Sequence, residues 1–123
     1  MRTNGDPTRD PLIRAIEKTI ATHGMLQPGD RVLEVGCGTG QLTNFLGTSC
    51  RRVIGTDVCL NSLRLAEQFR QKHGLDRVRF VPMDVFRPCF EPERFDVIIC
   101  LGVLHHTRDP IGGLRMLVPL LKP

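Results

Sequence analysis

The pattern of apolar and polar positions along the chain alternates between two kinds of segment. Short, mostly apolar runs are typical of buried strands, and longer segments with an apolar residue every three or four positions are typical of helices that cover one face. Strands are predicted at Arg31–Val35, Arg52–Thr56, Arg77–Val81 and Phe95–Leu101, and helices at Asp10–Gly24, Gln41–Leu46, Asn61–His73 and Pro110–Leu121. Strands that alternate with helices favour an α/β fold, an open parallel sheet with helices packed on it.

Proline and glycine positions refine this outline. Residues 1–9 are polar and contain Gly5 and Pro7, so they are predicted to form a flexible arm before a single domain at 10–123. The connection from Asp84 to Arg94 holds two prolines and lacks helical periodicity, which predicts an irregular crossover between the third and fourth strands. Pro119 is expected to disturb the last helix.

Composition and charge argue against several kinds of partner. The chain has 17 Lys or Arg and 13 Asp or Glu, but the basic residues are spread out and aromatic residues make up only 5%, so no nucleic-acid partner is expected. Five cysteines without a CxxC pair and one adjacent pair, His105 and His106, predict neither a disulfide framework nor a metal site. The longest apolar run, Val97–Leu104, is about half of a membrane span, and no signal-peptide core is visible, so a cytoplasmic location is expected.

The most informative stretch is Val32–Gly40, VLEVGCGTG, in which an apolar strand runs into three glycines at alternate positions and then into a helix. Glycine permits positive φ angles and lets a ligand approach the backbone closely, and a helix N-terminus suits an anionic group. A tight turn without a ligand is the alternative, although three glycines at this spacing favour a binding loop. A dinucleotide fingerprint would need glycine or alanine at Gln41, which weakens an NAD or FAD assignment without excluding it.

Acidic residues follow two other predicted strands. Asp57 comes about twenty residues after the glycines, where a carboxylate can accept two hydrogen bonds from a ribose diol. Asp84 follows the third strand, where it can accept a bond from an adenine amino group, and each residue can also be an ordinary cap or turn aspartate. Because ligands of open parallel sheets bind at the carboxyl ends of the strands, these positions together predict an adenosine-containing ligand.

Residues 32–40 resemble motif I of the class I S-adenosylmethionine-dependent methyltransferases. Asp57, Val81–Asp84 and Phe95–His106 resemble that family's acidic residue after the second strand, its adenine-reaching segment and its fourth-strand motif. The pair His105-His106, followed by Asp109-Pro110, is most similar to the small-molecule methyltransferases of ubiquinone and menaquinone biosynthesis. The resemblance runs from about Pro28 to Pro123 and implies a Rossmann-like fold, S-adenosyl-L-methionine as cofactor and a small-molecule methyl acceptor.

The resemblance also implies a role for each matching position. The glycines would pass under the methionine part of the cofactor, Glu34 would order the loop and Asp57 would hold the ribose hydroxyls. Val58 would pack on the adenine, Asp84 would take its amino group, and the backbone near Cys100 would face the methionine amino group. The candidate cofactor-binding residues are Glu34, Gly36, Cys37, Gly38, Gly40, Asp57, Val58, Asp84, Val85, Cys100 and Leu101.

Two histidines are the candidate catalytic residues. The resemblance places His105 and His106 near the methyl group that is transferred, and an imidazole is suited to take a proton from an attacking nucleophile. The alternative is that they only shape the loop before the last helix, with Asp109 as the cap of that helix.

The family fold has seven strands, and only four are predicted here. We therefore expect the N-terminal, cofactor-binding part of a methyltransferase domain, truncated after the fourth strand and its following helix. The fourth strand would then be an exposed sheet edge, through which the chain could self-associate. Two alternative functions remain open at this point, a non-catalytic cofactor-binding or interaction module and an NAD-dependent oxidoreductase.

Overall fold

The computed structural model describes residues 29–49, 52–101 and 107–123. The predicted arm at 1–9, the predicted helix at 10–24 and the histidines at 105 and 106 lie outside these ranges. Within them the chain forms strands β1 (Arg31–Val35), β2 (Arg52–Asp57), β3 (Val78–Pro82) and β4 (Val97–Ile99), helices α1 (Gln41–Leu46), α2 (Leu60–Lys72) and α3 (Pro110–Leu117), and a final 3₁₀ turn (Val118–Leu120).

The four strands form one parallel sheet in the order β3-β2-β1-β4. β1 lies between its two neighbours in register, with Val32 opposite Val53 of β2 and Val97 of β4. The strand order reverses between β1 and β4, because the chain first adds strands on one side of β1 and then returns to its other side. In open parallel sheets this reversal is the place where ligands bind, outside the carboxyl ends of the strands.

Apolar side chains cover both faces of the sheet, as the alternation of side chains along each strand requires. The face under α1 and α2 holds one cluster, formed by Val32, Leu42, Leu46, Val53, Val78 and Ile99. The opposite face, under α3 and the 3₁₀ turn, holds a second cluster, formed by Leu33, Val35, Met83, Val85, Phe95, Leu117 and Leu120. The predicted Rossmann-like sheet with helices on both faces is therefore confirmed.

Several predicted boundaries differ from those observed. β2 runs one residue further than predicted and ends on Asp57, and β4 contains only Val97–Ile99 of the predicted Phe95–Leu101. β4 is short because it pairs with β1 only as far as Glu34, one residue before β1 ends and the chain turns into the glycines. Val97 and Ile98 are half-buried against the two apolar clusters, and Ile99 is buried.

Two irregular features occur where prolines predicted them. The connection between β3 and β4 contains turns and no helix. Helix α3 ends at Leu117 and continues as the 3₁₀ turn that contains Pro119. After this turn Leu121 forms an isolated parallel bridge with Phe95, next to the start of β4.

In the described part of the chain, β4 has a named strand on one side only, that of β1. The predicted exposed edge stays a prediction, and Leu121 bridges Phe95 just before β4. The described residues contain no helix with the length and apolar character of a membrane span.

Candidate functional site

The loop between β1 and α1 follows a path that glycine makes possible. Gly36, Gly38 and Gly40 have φ angles of 73°, 57° and 81°, all in the region that other residues rarely adopt. The backbone N–H groups of Gly36 and Cys37 both donate to the carbonyl oxygen of Thr56, at 2.8 and 2.9 Å. These two bonds continue the β1–β2 ladder around the turn and hold the loop against the carboxyl end of β2.

Two of these glycines are needed for different reasons. A Cβ atom on Gly38 would meet no atom of the described residues within 4 Å, so the backbone there faces space that a ligand can enter. A Cβ on Gly40 would lie 2.6 Å from the Cβ of Ala66 and 2.7 Å from the Phe80 ring. Gly40 therefore lets α1 pack closely on α2 and the sheet, whereas Gly38 keeps a surface open.

The Asp57 side chain joins the glycine loop to the start of α2. Its Oδ2 accepts a hydrogen bond from the N–H of Gly38 at 2.9 Å, and its Oδ1 accepts one from the N–H of Cys59 at 2.9 Å. A carboxylate has about four acceptor positions, so two further donors, such as ribose hydroxyls, can still bind. The bond from Cys59 is the local turn contact that an ordinary strand-end aspartate makes. The bond from Gly38 joins residues 19 positions apart, so it is not a local turn contact.

Glu34 is a buried acid beneath the same loop. Only 6% of its surface is exposed, and its Oε1 accepts a hydrogen bond from the Thr43 hydroxyl at 2.5 Å. Burial raises the pKa of Glu34 to about 7, against the lowering effect of the Thr43 hydrogen bonds and with a small further increase from Asp57. Sequence reasoning missed Thr43, although a hydroxyl residue in the helix after a strand-end acid is a signal that could have indicated it.

The Cys37 side chain is buried within the loop. Burial raises the pKa of this thiol to about 12, so it stays neutral and unreactive at physiological pH. The thiol lies 3.7 Å from the carbonyl oxygen of Gly38 and has 8% of its residue surface exposed. Its backbone N–H is already used by Thr56, so Cys37 contributes the shape of the loop rather than a reactive group.

Asp84 lies at the carboxyl end of the next strand. Its side chain is exposed, and its Oδ1 accepts a hydrogen bond from the N–H of Phe86 at 2.9 Å, which closes a local turn. The preceding residue, Met83, donates its N–H to the carbonyl oxygen of Asp57 at 3.1 Å, so the two acidic segments are adjacent. Val85 is buried with Met83 in the second apolar cluster and anchors this segment.

Exposed apolar side chains follow the ends of three strands. Val58 is 72% exposed, so its side chain is free to pack on a ligand, and Leu101, whose predicted role lies in its backbone, is 52% exposed. Leu60, at 67%, and Phe86, at 37%, were not predicted, although each is an apolar residue close behind a strand-end aspartate. Cys100, the predicted site residue directly after β4, is half-buried against the second cluster. Exposed apolar side chains close to Asp57 and Asp84 suit a nucleoside, which has a flat apolar base and polar hydroxyl and amino groups.

The structure thus brings together the predicted residues from β1, β2 and β3 by direct contacts, and places those after β4 at the same edge of the sheet. His105 and His106 lie outside the described residues, and their predicted catalytic role stays a prediction. Asp109 does cap α3, because its Oδ1 accepts the N–H of Gly112 at 2.9 Å.

Comparison with known proteins gives the family. Residues 33–123 match the methyltransferase domain family. A ubiquinone biosynthesis O-methyltransferase from Bordetella parapertussis is 34% identical over 100 residues, which cover 77% of this chain and 39% of that protein. The YcgJ protein from Bacillus subtilis has the same fold with a TM-score of 0.79 and 27% identity, over 89% of this chain and 46% of that one. A SAM-dependent methyltransferase from Aquifex aeolicus shares the fold with a TM-score of 0.78 and 21% identity, over 96% of this chain and 68% of that one.

The fold, the family match and these relatives define a class I S-adenosylmethionine-dependent methyltransferase domain. The chain belongs to the methyltransferase domain family. It spans less than half the length of the curated O-methyltransferase that it matches. The oxidoreductase and the non-catalytic module are not favoured by these relationships.

Proposed function

We propose that this chain binds S-adenosyl-L-methionine at the carboxyl ends of β1, β2 and β3 and transfers its methyl group to a small molecule. The observation that carries the proposal is the Asp57 carboxylate, which fixes the glycine loop through Gly38 and keeps acceptor positions for a ribose. Open space at Gly38 and the exposed Val58 beside it fit a nucleoside with an extended substituent.

Each part of the cofactor has a matching group in the chain. Gly36 and Gly38 would lie under the methionine part, Asp57 would accept the ribose hydroxyls and Val58 would pack on the adenine. Asp84 has one carboxylate oxygen engaged by Phe86, and its other oxygen would accept the adenine amino group. The backbone around Cys100 and Leu101 would face the methionine amino group.

The bound cofactor supplies an electrophilic methyl group on a good leaving group. The chain's own contribution is then to hold the acceptor in line with that methyl group and to exclude water, which are the main requirements of such a displacement. A base is needed only if the attacking atom carries a proton. His105 and His106 are our candidates for that base, with loop shaping as the alternative role.

The decisive test is calorimetry with S-adenosylhomocysteine and, separately, with NAD. We expect binding of S-adenosylhomocysteine and none of NAD, because Gln41 stands where a dinucleotide site has a small residue. Asp57→Ala is expected to abolish binding, and Asp76→Ala, at an exposed turn aspartate before β3, is the matched control. Binding of NAD in preference to S-adenosylhomocysteine would overturn the proposal.

The acceptor is proposed as a small molecule that carries a hydroxyl group, because several curated relatives are O-methyltransferases of ubiquinone biosynthesis. A methyl-transfer assay with catechol-type phenols is the first screen. Replacing His105 and His106 by Ala, one at a time, then tests the base: turnover unchanged at saturating cofactor would assign both histidines to loop shaping.

We also propose a cytoplasmic protein that can self-associate through β4. Three cysteines of the described residues, Cys37, Cys59 and Cys89, are reduced thiols, which is usual in a reducing compartment. Light scattering tests the second part, since a monomer at all concentrations would exclude pairing through the edge of β4.

A further inference from the structure

Glu34 is a buried acid whose negative charge, when it is ionised, would have no cationic partner among the described residues. It is buried at the end of β1, and in the described part of the chain no cation forms an ion pair with it. An ionised carboxylate without a cationic partner is costly to bury, so a protonated carboxyl is favoured there.

In the part of the chain that the structure describes, the groups that act on Glu34 are acidic or neutral. Asp57, at the end of the neighbouring strand, acts on it through its negative charge, and the Cys37 thiol is in turn affected by both acids. From α1, Thr43 donates to Glu34 with its hydroxyl, at 2.5 Å, and with its backbone N–H. Among the described residues, Glu34 therefore has hydrogen-bond donors suited to an ionised carboxylate but no positive charge beside it.

A bound methionine group would change this balance. Glu34 lies two residues before Gly36, in the strand that leads into the glycine loop, and it interacts electrostatically with Asp57, which accepts the N–H of Gly38. An ammonium placed over that loop supplies the missing positive charge, and an opposite charge nearby favours the ionised form of an acid. Because burial raises the pKa of Glu34 to about 7, its loss of a proton falls in the physiological pH range.

We propose that binding of the cofactor's amino-acid part expels a proton from Glu34 to the solvent, and that Thr43 is the positioning residue that holds the resulting carboxylate. The proposal rests on the proposed function, because it needs a ligand with an ammonium group over the glycine loop. The O–H bond of the Glu34 carboxyl breaks, its proton passes to the buffer, and the negative charge left behind is balanced by the ligand's ammonium.

The test is isothermal calorimetry of S-adenosylhomocysteine with the 123-residue chain, in phosphate and in Tris, whose ionisation enthalpies differ widely. The difference in heat gives the number of protons released. We expect roughly half a proton at pH 7, close to one at pH 6 and close to none at pH 8.5. The affinity is expected to rise about tenfold per pH unit below pH 7 and to level off above it.

A second ligand separates the ammonium from the nucleoside. 5′-Methylthioadenosine keeps the adenosine and the sulfur but lacks the amino-acid part, so its binding is expected to release no proton. Equal proton release with both ligands would contradict the proposal. This comparison uses the unmodified chain and does not depend on how well any variant folds.

Variants of Glu34 and Thr43 test whether Glu34 is the source of the released proton and whether Thr43 stabilises its carboxylate. Glu34→Gln is expected to bind S-adenosylhomocysteine without proton release and with an affinity that is nearly constant from pH 6 to 8. Thr43→Val removes a donor to the carboxylate, so it should move the rise in affinity to higher pH, and Thr43→Ser should restore the original profile. A purely structural role of Thr43 would lower the affinity equally at every pH.

The two proposals fail in different ways. If S-adenosylhomocysteine does not bind at any pH, the proposed function is wrong. If it binds without proton release, or if Glu34→Gln releases as many protons as the original chain, the cofactor site stands and the proton-linked role of Glu34 is wrong.

Discussion

The Asp57 carboxylate accepts a hydrogen bond from the backbone N–H of Gly38, with 2.9 Å between Oδ2 and N. This bond connects the end of β2 to the middle of the glycine loop. The other carboxylate oxygen of Asp57 accepts the N–H of Cys59 at the start of α2. One side chain therefore fixes both segments that would enclose the ribose, before any ligand is bound.

Replacing Asp57 by Asn tests this role. An amide keeps one oxygen as acceptor but turns an NH₂ group towards a backbone N–H, so one of the two bonds is lost. Hydrogen bonds to charged groups contribute about 1.5–3 kcal/mol, so we expect the affinity for S-adenosylhomocysteine to fall roughly 10- to 100-fold. Calorimetry measures this, with Asp76→Asn as control. A folded Asp57→Asn protein with unchanged affinity would contradict the role.

The two glycines of the loop are expected to differ when each is replaced by Ala. Both have positive φ, which costs about 1–2 kcal/mol for alanine. Ala at position 40 must in addition displace Ala66 or Phe80, so Gly40→Ala should lose at least about 2 kcal/mol more stability than Gly38→Ala.

Cofactor binding is expected to show a different effect. A methyl group on residue 38 projects into the space where the cofactor would lie, so Gly38→Ala should abolish binding while the chain stays folded. Urea denaturation gives the free energies of unfolding, and calorimetry gives the affinities. Equal loss of stability in both variants would mean that the close contact at Gly40 relaxes without cost.

The sequence allowed much of this site to be predicted because its chemistry depends on local motifs. The glycines, Asp57 and Asp84 each follow an apolar run, and parallel strands bring such positions to one edge of the sheet. The pairing of Asp57 with Gly38 could not be predicted, since it depends on the angle at which the loop leaves β1. The need for glycine at position 40 could not be predicted either, since it is set by the contact with Phe80, a residue forty positions away in the sequence.

The length of β4 and the state of Glu34 were beyond sequence reasoning for physical reasons. β4 looks longer in the sequence because apolar residues continue after Ile99, but its pairing ends one residue before β1 does. Glu34 reads as a polar residue at a strand end, and its burial results from helix α1 closing over it through Thr43. Both properties arise from contacts between elements and not from the periodicity of either one.

The buried Glu34 is also expected to affect stability as a function of pH. Its pKa is raised from 4.5 in the unfolded chain to about 7 in the folded one, so the folded state holds the proton more tightly. Its contribution is fully present below about pH 4.5 and is lost as the pH rises to about 7, by roughly 3 kcal/mol in total.

Denaturation of the original chain and of Glu34→Gln at pH 5, 6, 7 and 8 measures this effect. The original chain should lose stability relative to the variant from pH 5 to 7, and the difference should be constant from 7 to 8. The comparison removes the effects of Glu67 and Asp96, whose lowered pKa values act in the opposite direction in both proteins. Parallel pH profiles would show that Glu34 ionises normally.

Two cysteines near the site are expected to react very differently with iodoacetamide. Cys59 is exposed at the start of α2, and the pKa of its thiol is lowered mainly by a hydrogen bond with the Ser62 side chain and then by one with the Ser62 backbone. Cys37 is buried, and burial raises the pKa of its thiol. Thiolates are the reactive form, so Cys59 should be alkylated at pH 7.5 under conditions that leave Cys37 intact.

S-Adenosylhomocysteine is expected to slow the reaction of Cys59, because this residue donates its N–H to the Asp57 carboxylate that would hold the ribose. Mass spectrometry of proteolytic peptides reads each cysteine separately, with the exposed Cys89 as the reference. Protection of Cys89 to the same degree as Cys59 would indicate a global change rather than a ligand beside Asp57.

The last helix is expected to stabilise the sheet through one side chain in particular. Leu117 is 2% exposed and packs in the second apolar cluster with Leu33 and Val35, the residues of β1 that lead into the glycine loop. Leu114, three residues earlier on the same helix, is 51% exposed. Truncation to Ala removes the same atoms from both, so Leu117→Ala should cost about 2–4 kcal/mol and Leu114→Ala less than about 1 kcal/mol. Urea denaturation distinguishes them, and equal costs would show that α3 is held by its exposed face rather than by the cluster beneath β1.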